Sequence, residues 1–186
     1  MPGWLEVNLP QEVRDEVLES IEVKERNMGN SLAGVISEEY MINGGPKLKY
    51  ITESLCEEFF NVFDLPYPET IEGFDKPKYK TGAMWVNYQR KGDYNPSHVH
   101  NGDFSFVVWV KLPDLSNEPD LAPHKKETIG EFSFTPIMSY PYSSPLPIAE
   151  EWKLVVFPSD LIHTVYPFFN SDDTRISVAG NLYLFR

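Results

Sequence analysis

Three histidines have the residue type and the spacing of a metal site. His98 and His100 stand two positions apart, and side chains two apart on an extended strand point to the same face. These two imidazoles would therefore face one side together. His163 comes 65 residues after His98 (163 − 98), after residues 157–162, a stretch that reads as an apolar strand running into a turn. Two neighbouring ligands and one remote ligand could hold a single metal ion.

A basic residue lies close to these histidines in sequence. Arg175 follows His163 by 12 residues (175 − 163) and opens a predicted strand on which Ser177 shares its face. A His-x-His pair alone is a weak signal, since two polar residues in a loop after Asn95 and Pro96 would look the same. The remote histidine, the basic anchor and the predicted β fold together make a metal site the stronger interpretation.

Composition limits the class of protein. The 186 residues fit one domain, 1–186, and 41% of them are apolar. The formal net charge of −12 argues against nucleic acid as a partner, because binding to nucleic acid needs clustered cations. The single cysteine, Cys56, excludes an internal disulfide and indicates a reducing compartment. Without a signal peptide or an apolar run of ~18 residues, we expect a soluble cytoplasmic protein, in the host cytoplasm if phage-encoded.

The first 80 residues are predicted to form a helical support region. Pro10 suits the first turn of a helix, and Val13, Val17 and Ile21 then recur at helical spacing. A second helix is predicted over residues 47–63, with an aromatic stripe that packs into the core. Residues 31–41 are ambiguous between a loop and a short strand. Residues 64–80 form a long connection rich in proline and charge.

Residues 81–186 are predicted to be a β domain. Strands are indicated at residues 83–88, 104–112, 130–134, 152–158 and 175–185, separated by irregular loops and by no helix. This pattern favours an antiparallel sandwich or jelly roll. His124, the fourth histidine, lies in a charged loop and is expected at the surface.

The segment from Trp85 onward resembles the Fe(II)- and 2-oxoglutarate-dependent oxygenases, in which a double-stranded β-helix carries a His-x-Asp/Glu pair, a distal histidine and an Arg-x-Ser motif. Tyr88, Gly92, Tyr94 and His98 are similar to the run that leads into the first iron ligand in the prolyl-hydroxylase-like branch. Residues 130–134 resemble the glycine-started strand of that branch, and residues 29–34 resemble phage-borne members. The resemblance implies a fold that is mainly β with N-terminal helices.

The resemblance also implies the roles of individual residues. His98 and His163 would be iron ligands. Arg175 would form a two-pronged salt bridge with the distal carboxylate of 2-oxoglutarate, and Ser177 would donate a hydrogen bond to the same group. Tyr94 and Tyr88 are candidates for further cosubstrate contacts, although an aromatic core or rim position explains both equally well.

One position departs from the family pattern, because His100 stands where a carboxylate is usual. Strand alternation favours His100 as the third ligand, and Asp103 in a following turn, or Asp93 before the pair, could replace it. Three neutral histidines would leave the site one charge unit more positive than two histidines and a carboxylate.

The implied activity is hydroxylation of a C–H bond in a peptide or small molecule, using O2 and 2-oxoglutarate and releasing succinate and CO2. A cupin-type dioxygenase with three histidines and no 2-oxoglutarate explains the histidines equally well but gives Arg175 and Ser177 no role. A non-catalytic jelly-roll binding module would bind no stoichiometric metal. The sequence decides neither the substrate nor the oligomeric state.

Overall fold

The computed structural model describes residues 3–68, 77–119, 128–135 and 149–185. Two helices and nine strands lie within these residues. The helices are α1 (Gln11–Glu22) and α2 (Pro46–Val62). The strands are β1 (Leu5–Asn8), β2 (Glu38–Ile42), β3 (Tyr79–Gln89), β4 (Asn95–His98), β5 (Phe104–Lys111), β6 (Phe132–Phe134), β7 (Lys153–Pro158), β8 (His163–Val165) and β9 (Arg175–Leu184).

The two helices begin and pack as their sequences predict. Pro10 immediately precedes α1, and Val13, Val17 and Ile21 form its buried stripe. Pro46 opens α2, where its missing N–H would have had no helical partner. The Glu16 carboxylate of α1 accepts hydrogen bonds from two backbone N–H groups in the first turn of α2, at 2.8 and 3.0 Å. A negative charge at this helix end is favourable, so Glu16 joins the two helices.

A six-stranded antiparallel sheet is the centre of the molecule, with strand order β1-β7-β5-β9-β3-β2. Its central strand β5 is buried on both faces. Phe106 and Val108 belong to the core beneath the helices, whereas Val107 and Trp109 belong to a second core on the opposite face. This alternation explains the continuous apolar run in the sequence, because both faces of the strand are covered.

The second face packs against a three-stranded antiparallel sheet of order β4-β8-β6. Phe132 and Phe134 of β6 join Val155 and Phe157 of β7 in the core between the sheets. Toward one end of this core the apolar side chains give way to histidines and other polar groups, which line a cavity between the two sheets. The site is therefore enclosed by strands of both sheets.

Both predicted helices and all five predicted strands are present, with ends that differ by a few residues. The ambiguous residues 31–41 contain most of β2. Three further strands, β1, β4 and β8, were not predicted, because three or four residues are too few to display a period of two. Residues 1–80 also contribute more than helices: β1 and β2 form both edges of the large sheet, and β3 begins at Tyr79.

Two other predictions concern single features. Cys56 is fully buried in the core beneath α2, as expected for a packing residue. His124 lies outside the described residues. Within the described part of the chain, no helix is both long enough and apolar enough to cross a membrane.

Candidate metal centre

His98 and His163 face each other across two paired strands. His98 ends β4 and His163 begins β8, and the two residues are direct partners in the antiparallel register. Directly opposed side chains in such a pair lie on the same face of the sheet and close together. Their ring centroids are 4.2 Å apart. The pairing of β4 with β8 therefore brings together two histidines that are 65 residues apart in the sequence (163 − 98).

His100 completes the cluster from just beyond the end of β4. It is not part of a strand, contrary to the prediction, yet its backbone N–H donates to the Ser159 carbonyl at 2.9 Å. The chain stays extended enough for alternation to persist, so Val99 is exposed while His100 turns inward. The Nε2 atoms of His100 and His163 are 3.1 Å apart. One ligand atom from each of the three histidines falls within 4.8 Å of the others.

Hydrogen bonds fix which nitrogen of two rings is available. Nδ1 of His98 donates to the Pro96 carbonyl at 2.7 Å, and Nδ1 of His163 donates to the Leu161 carbonyl at 2.9 Å. A carbonyl can only accept, so each Nδ1 carries the proton and each Nε2 keeps the lone pair that a metal would use. Ligating histidines are commonly oriented in this way. The two rings are therefore held as metal donors before any ion binds.

Burial keeps all three imidazoles neutral. It lowers the pKa of His163 to about 3 and that of His100 to about 4, with the neighbouring histidines acting in the same direction. Burial also lowers the pKa of His98, against the effect of its bond to Pro96. Neutral imidazole is the form that binds a metal. Three neutral nitrogen donors suit iron, copper, nickel or zinc more than magnesium or calcium.

The two alternative carboxylates lie elsewhere. Oδ2 of Asp103 accepts the Leu184 N–H at 2.7 Å, and Asp93 accepts the N–H groups of Ser37 and Arg90 at 2.9 and 3.0 Å. Neither belongs to the histidine cluster. Neither prediction of an aspartate ligand gains support, because both carboxylates accept backbone N–H groups instead.

Arg175 lies in the same cavity, behind the histidines. It shares one face of β9 with Ser177 and Ala179, and all three line the cavity. The guanidinium donates from Nη1 to Oε1 of Gln89 at 3.3 Å and from Nη2 to the Gly130 carbonyl. Its Nε is buried and has no hydrogen-bond partner among the described residues.

The electrostatics of Arg175 point to an anion. The residue is 3% exposed, and burial lowers its pKa to about 10, with Glu131 acting in the opposite direction. Its two hydrogen-bond partners, Gln89 and Gly130, are neutral. A buried cation with neutral partners and an unpaired donor is costly unless an anion joins it. The residues present therefore fit a carboxylate-bearing ligand in this cavity.

Sequence reasoning missed the residues that β3 contributes. Trp85, Asn87 and Gln89 alternate on the inner face of β3 and line the cavity. Nδ2 of Asn87 donates to Oγ of Ser177 at 3.4 Å, and Nε2 of Gln89 donates to the Asp93 carbonyl at 2.7 Å. The sequence did contain a signal for these residues, because Asn87 and Gln89 are two amides spaced two positions apart in a mainly apolar stretch.

Neither tyrosine lies where the resemblance suggested. Tyr88 points to the opposite face of β3, where it packs beside Tyr40 and its hydroxyl donates to the Ile21 carbonyl at 3.4 Å. Strand alternation forces this position, because Asn87 and Gln89 occupy the inner face. Tyr94 is 39% exposed and does not line the cavity. The structure therefore gives no support to either tyrosine as a cosubstrate contact.

Comparison with known proteins gives one family. A sequence model of the 2OG-Fe(II) oxygenases matches residues 83–181, which is more than half of the chain and includes all three histidines and Arg175. No protein of curated function matches the sequence. The match runs from within β3 to within β9, the part of the chain that carries the candidate site.

Solved structures show the same fold at low sequence identity. A prolyl-4-hydroxylase from Pseudomonas putida has a TM-score of 0.56 at 14% identity, over 100% of this chain and 94% of that one. The viral collagen prolyl hydroxylase of Paramecium Bursaria Chlorella virus-1, solved as a 2OG complex, has 0.55 at 11%, over 96% and 94%. A Trichoplax adhaerens prolyl hydroxylase bound to a hypoxia inducible factor peptide has 0.51 at 14%, over 98% and 83%. The predicted double-stranded β-helix is confirmed.

Proposed function

This chain belongs to the 2OG-Fe(II) oxygenase family, and we propose that it hydroxylates a C–H bond of a peptide or small molecule, with His98, His100 and His163 as its iron ligands. Enzymes of this family use Fe(II), 2-oxoglutarate and O2. One observation carries the proposal. Three neutral imidazoles converge within 4.8 Å beside a buried arginine whose Nε is unpaired.

Arg175 and Ser177 would bind the carboxylate of 2-oxoglutarate that lies far from the metal. Arg175, whose Nε is unpaired, and Ser177 both line one cavity. A charge-assisted bond to a buried guanidinium is short and strong. Phe132 and Phe157 lie around His163, with ring centroids 5.5 and 5.0 Å from its ring, so this end of the cavity excludes water.

Bound iron would supply the activation of O2 that C–H hydroxylation requires. In the overall reaction a substrate C–H bond breaks and a C–OH bond forms, with one oxygen atom of O2 in the alcohol. The second oxygen atom enters succinate, while 2-oxoglutarate is oxidised and loses CO2. The protein's part is to fix the ligand nitrogens, neutralise the cosubstrate with Arg175, and keep the cavity dry.

A labelling experiment tests the reaction. We expect the Fe(II)-loaded protein to convert 2-oxoglutarate to succinate under ¹⁸O2, with one labelled atom in the succinate. Addition of a substrate from a peptide and amino-acid library should raise this rate and give a product heavier by one labelled oxygen. The Trichoplax neighbour, solved with a peptide, makes peptides a reasonable first library. Consumption of O2 without any succinate would instead favour the dioxygenase that needs no 2-oxoglutarate.

Substitution of His100 tests the unusual ligand set. His100→Asp should retain Fe(II) binding, because a carboxylate at this position restores the two-histidine, one-carboxylate set. Loss of a residue that only supports a metal ligand typically weakens metal binding by roughly 10- to 100-fold. Because His100 would itself be a ligand, His100→Ala should weaken Fe(II) binding by at least this factor. Equilibrium dialysis of Fe(II) under anaerobic conditions measures both.

The matched control for this pair is Asp103→Ala, since Asp103 was the other candidate ligand. We expect Asp103→Ala to leave Fe(II) affinity unchanged, because its carboxylate accepts the Leu184 N–H instead. Loss of iron in Asp103→Ala together with normal binding in His100→Ala would assign the third ligand to Asp103.

Gln89→Leu tests the residue that sequence reasoning missed. Oε1 of Gln89 accepts from Arg175, while its Nε2 is held by the Asp93 carbonyl, so Gln89 orients the guanidinium. We expect the dissociation constant of 2-oxoglutarate to rise about 10-fold, which matches the loss of one hydrogen bond to a charged group. Isothermal titration calorimetry measures this constant. Fe(II) affinity should not change, and an equal loss of both affinities would mean that Gln89→Leu disturbs the whole cavity.

A further inference from the structure

A second cavity lies on the other side of the histidines. We call it the outer cavity, and the one that contains Arg175 the inner cavity. Trp85, Asn95, His98 and His100 line both, so they form a shared wall. The outer cavity has a free volume of about 290 Å³, compared with about 50 Å³ for the inner cavity. A substrate larger than the cosubstrate would therefore occupy the outer cavity. Its reacting group would lie against the shared wall, where His98 and His100 would hold the metal.

Glu39 is a buried acid in the wall of the outer cavity. It lies on β2 opposite Asn87 and is only 2% exposed. Its Oε2 is buried and has no hydrogen-bond partner among the described residues. Burial, together with the charge of Asp93, raises the pKa of Glu39 to about 7. A buried carboxylate without a partner is unfavourable, so a cation in the cavity would be strongly attracted to it.

The described residues that line the outer cavity include no such cation. Within the described part of the chain, neither lysine nor arginine lines the outer cavity. Oδ1 of Asn95, which lines the same cavity, is also buried without a partner there. Glu39 and Asn95, which both line this cavity, each keep an unpaired oxygen acceptor, which would suit a group with several N–H donors.

The remaining walls of the outer cavity suit an aliphatic stem. Met28, Leu32 and Trp85 present apolar surface beside Glu39. Long cationic side chains bury their methylene groups along such surfaces while the charged head reaches a polar partner. The net charge of −12 would also raise the local concentration of a cationic substrate.

We propose that the substrate carries an ammonium or guanidinium group on an aliphatic stem, and that Glu39 binds this group in the outer cavity. The assignment rests on the proposed function, because it identifies the substrate class of the same site. Lysine or arginine, either free or within a peptide, has this chemistry. Glu39 thereby determines specificity and holds the substrate against the shared wall of histidines.

Calorimetry with matched probes tests the proposal. The protein is loaded anaerobically with Fe(II) and 2-oxoglutarate, and is titrated with N-acetyl-lysine methylamide and with its neutral analogue, N-acetyl-norleucine methylamide. We expect the lysine probe to bind at least 10-fold more tightly. N-acetyl-arginine methylamide should likewise exceed its citrulline analogue. Free lysine and a lysine-containing tripeptide, run in the same way, distinguish a free amino acid from a peptide substrate.

Two variants complete the test. Glu39→Gln should remove the preference for the lysine probe, whereas Glu38→Gln, the adjacent acid on β2 that pairs with Lys24 and Arg90, should keep it. Equal binding of lysine and norleucine probes to the wild type would overturn the proposal, as would a lysine preference that survives Glu39→Gln. Because the comparison between probes is made in the wild type, it stands even if Glu39→Gln fails to fold.

The same samples separate this proposal from the one on which it rests. Binding of 2-oxoglutarate to iron gives a visible charge-transfer band, which is recorded before each probe is added. A normal band without any preference between the probes would contradict the cationic substrate and leave the oxygenase assignment intact. Absence of the band would count against the oxygenase assignment, whatever the probes do.

Discussion

Arg175→Met is expected to weaken 2-oxoglutarate binding by about 100-fold or more while Fe(II) still binds. Removal of one partner from a buried, hydrogen-bonded charge pair costs about 2–5 kcal/mol, and 1.4 kcal/mol is a factor of ten. Methionine fills a similar space without a charge. Isothermal titration calorimetry of the Fe(II)-loaded protein with 2-oxoglutarate gives the dissociation constant, and dialysis of Fe(II) checks the metal site.

The same substitution should not destabilise the ligand-free protein. The guanidinium is 3% exposed and its Nε is unpaired, so its removal also removes an unfavourable buried charge. Arg90→Met is the control, because Arg90 lies at the surface and pairs with Glu38. We expect normal 2-oxoglutarate binding in Arg90→Met. Normal binding in Arg175→Met would contradict the assignment of the inner cavity to the cosubstrate.

Glu39→Gln is expected to stabilise the ligand-free protein at pH 8 and to have little effect at pH 4. The pKa of Glu39 is raised from 4.5 to about 7, so the folded state binds this proton more tightly than the unfolded state. Its contribution to the free energy of unfolding is therefore greatest below pH 4.5 and falls as the pH rises through about 7. At pH 8 this shift lowers the free energy of unfolding of the wild type by about 3 kcal/mol. The neutral glutamine does not titrate, so Glu39→Gln avoids this loss.

Urea denaturation of the wild type and Glu39→Gln across this pH range measures the difference. The buried histidines titrate in both proteins, so their effect cancels when the two free energies of unfolding are subtracted. Glu38→Gln is the control, since Glu38 is partly exposed and pairs with Lys24 and Arg90. Glu38→Gln should lower the free energy of unfolding by up to about 1 kcal/mol near neutral pH, which is opposite in sign to the effect of Glu39→Gln. A less stable Glu39→Gln at pH 8 would mean that Glu39 has a favourable partner in the ligand-free protein.

The metal cluster and Arg175 could be predicted from the sequence because each depends on a period of two. His98 and His100 face one way, and so do Arg175 and Ser177, whatever the rest of the fold does. The remote position of His163 followed from the apolar strand before it. Once a strand is recognised, the relative orientation of its side chains is almost determined.

The parts that could not be predicted depend on partners far away in the chain. Alternation alone does not say which face of β3 is inward, so Tyr88 was selected instead of Gln89, the residue that contacts Arg175. Glu39 lay in a stretch without a clear pattern, and its burial comes from the pairing of β2 with β3. The pairing of β4 with β8 likewise joins segments too short to show a period.

The central claim is that three histidines and Arg175 form one site for Fe(II) and 2-oxoglutarate. The most direct test is an anaerobic titration of the Fe(II)-loaded protein with 2-oxoglutarate, followed by visible absorption. We predict a charge-transfer band in the wild type, a far weaker band at the same concentrations in Arg175→Met, and no band in His163→Ala. Iron binding without a band in the wild type would contradict the claim and favour a three-histidine dioxygenase. Failure of the wild type to bind iron at all would contradict both the 2-oxoglutarate oxygenase and the three-histidine dioxygenase.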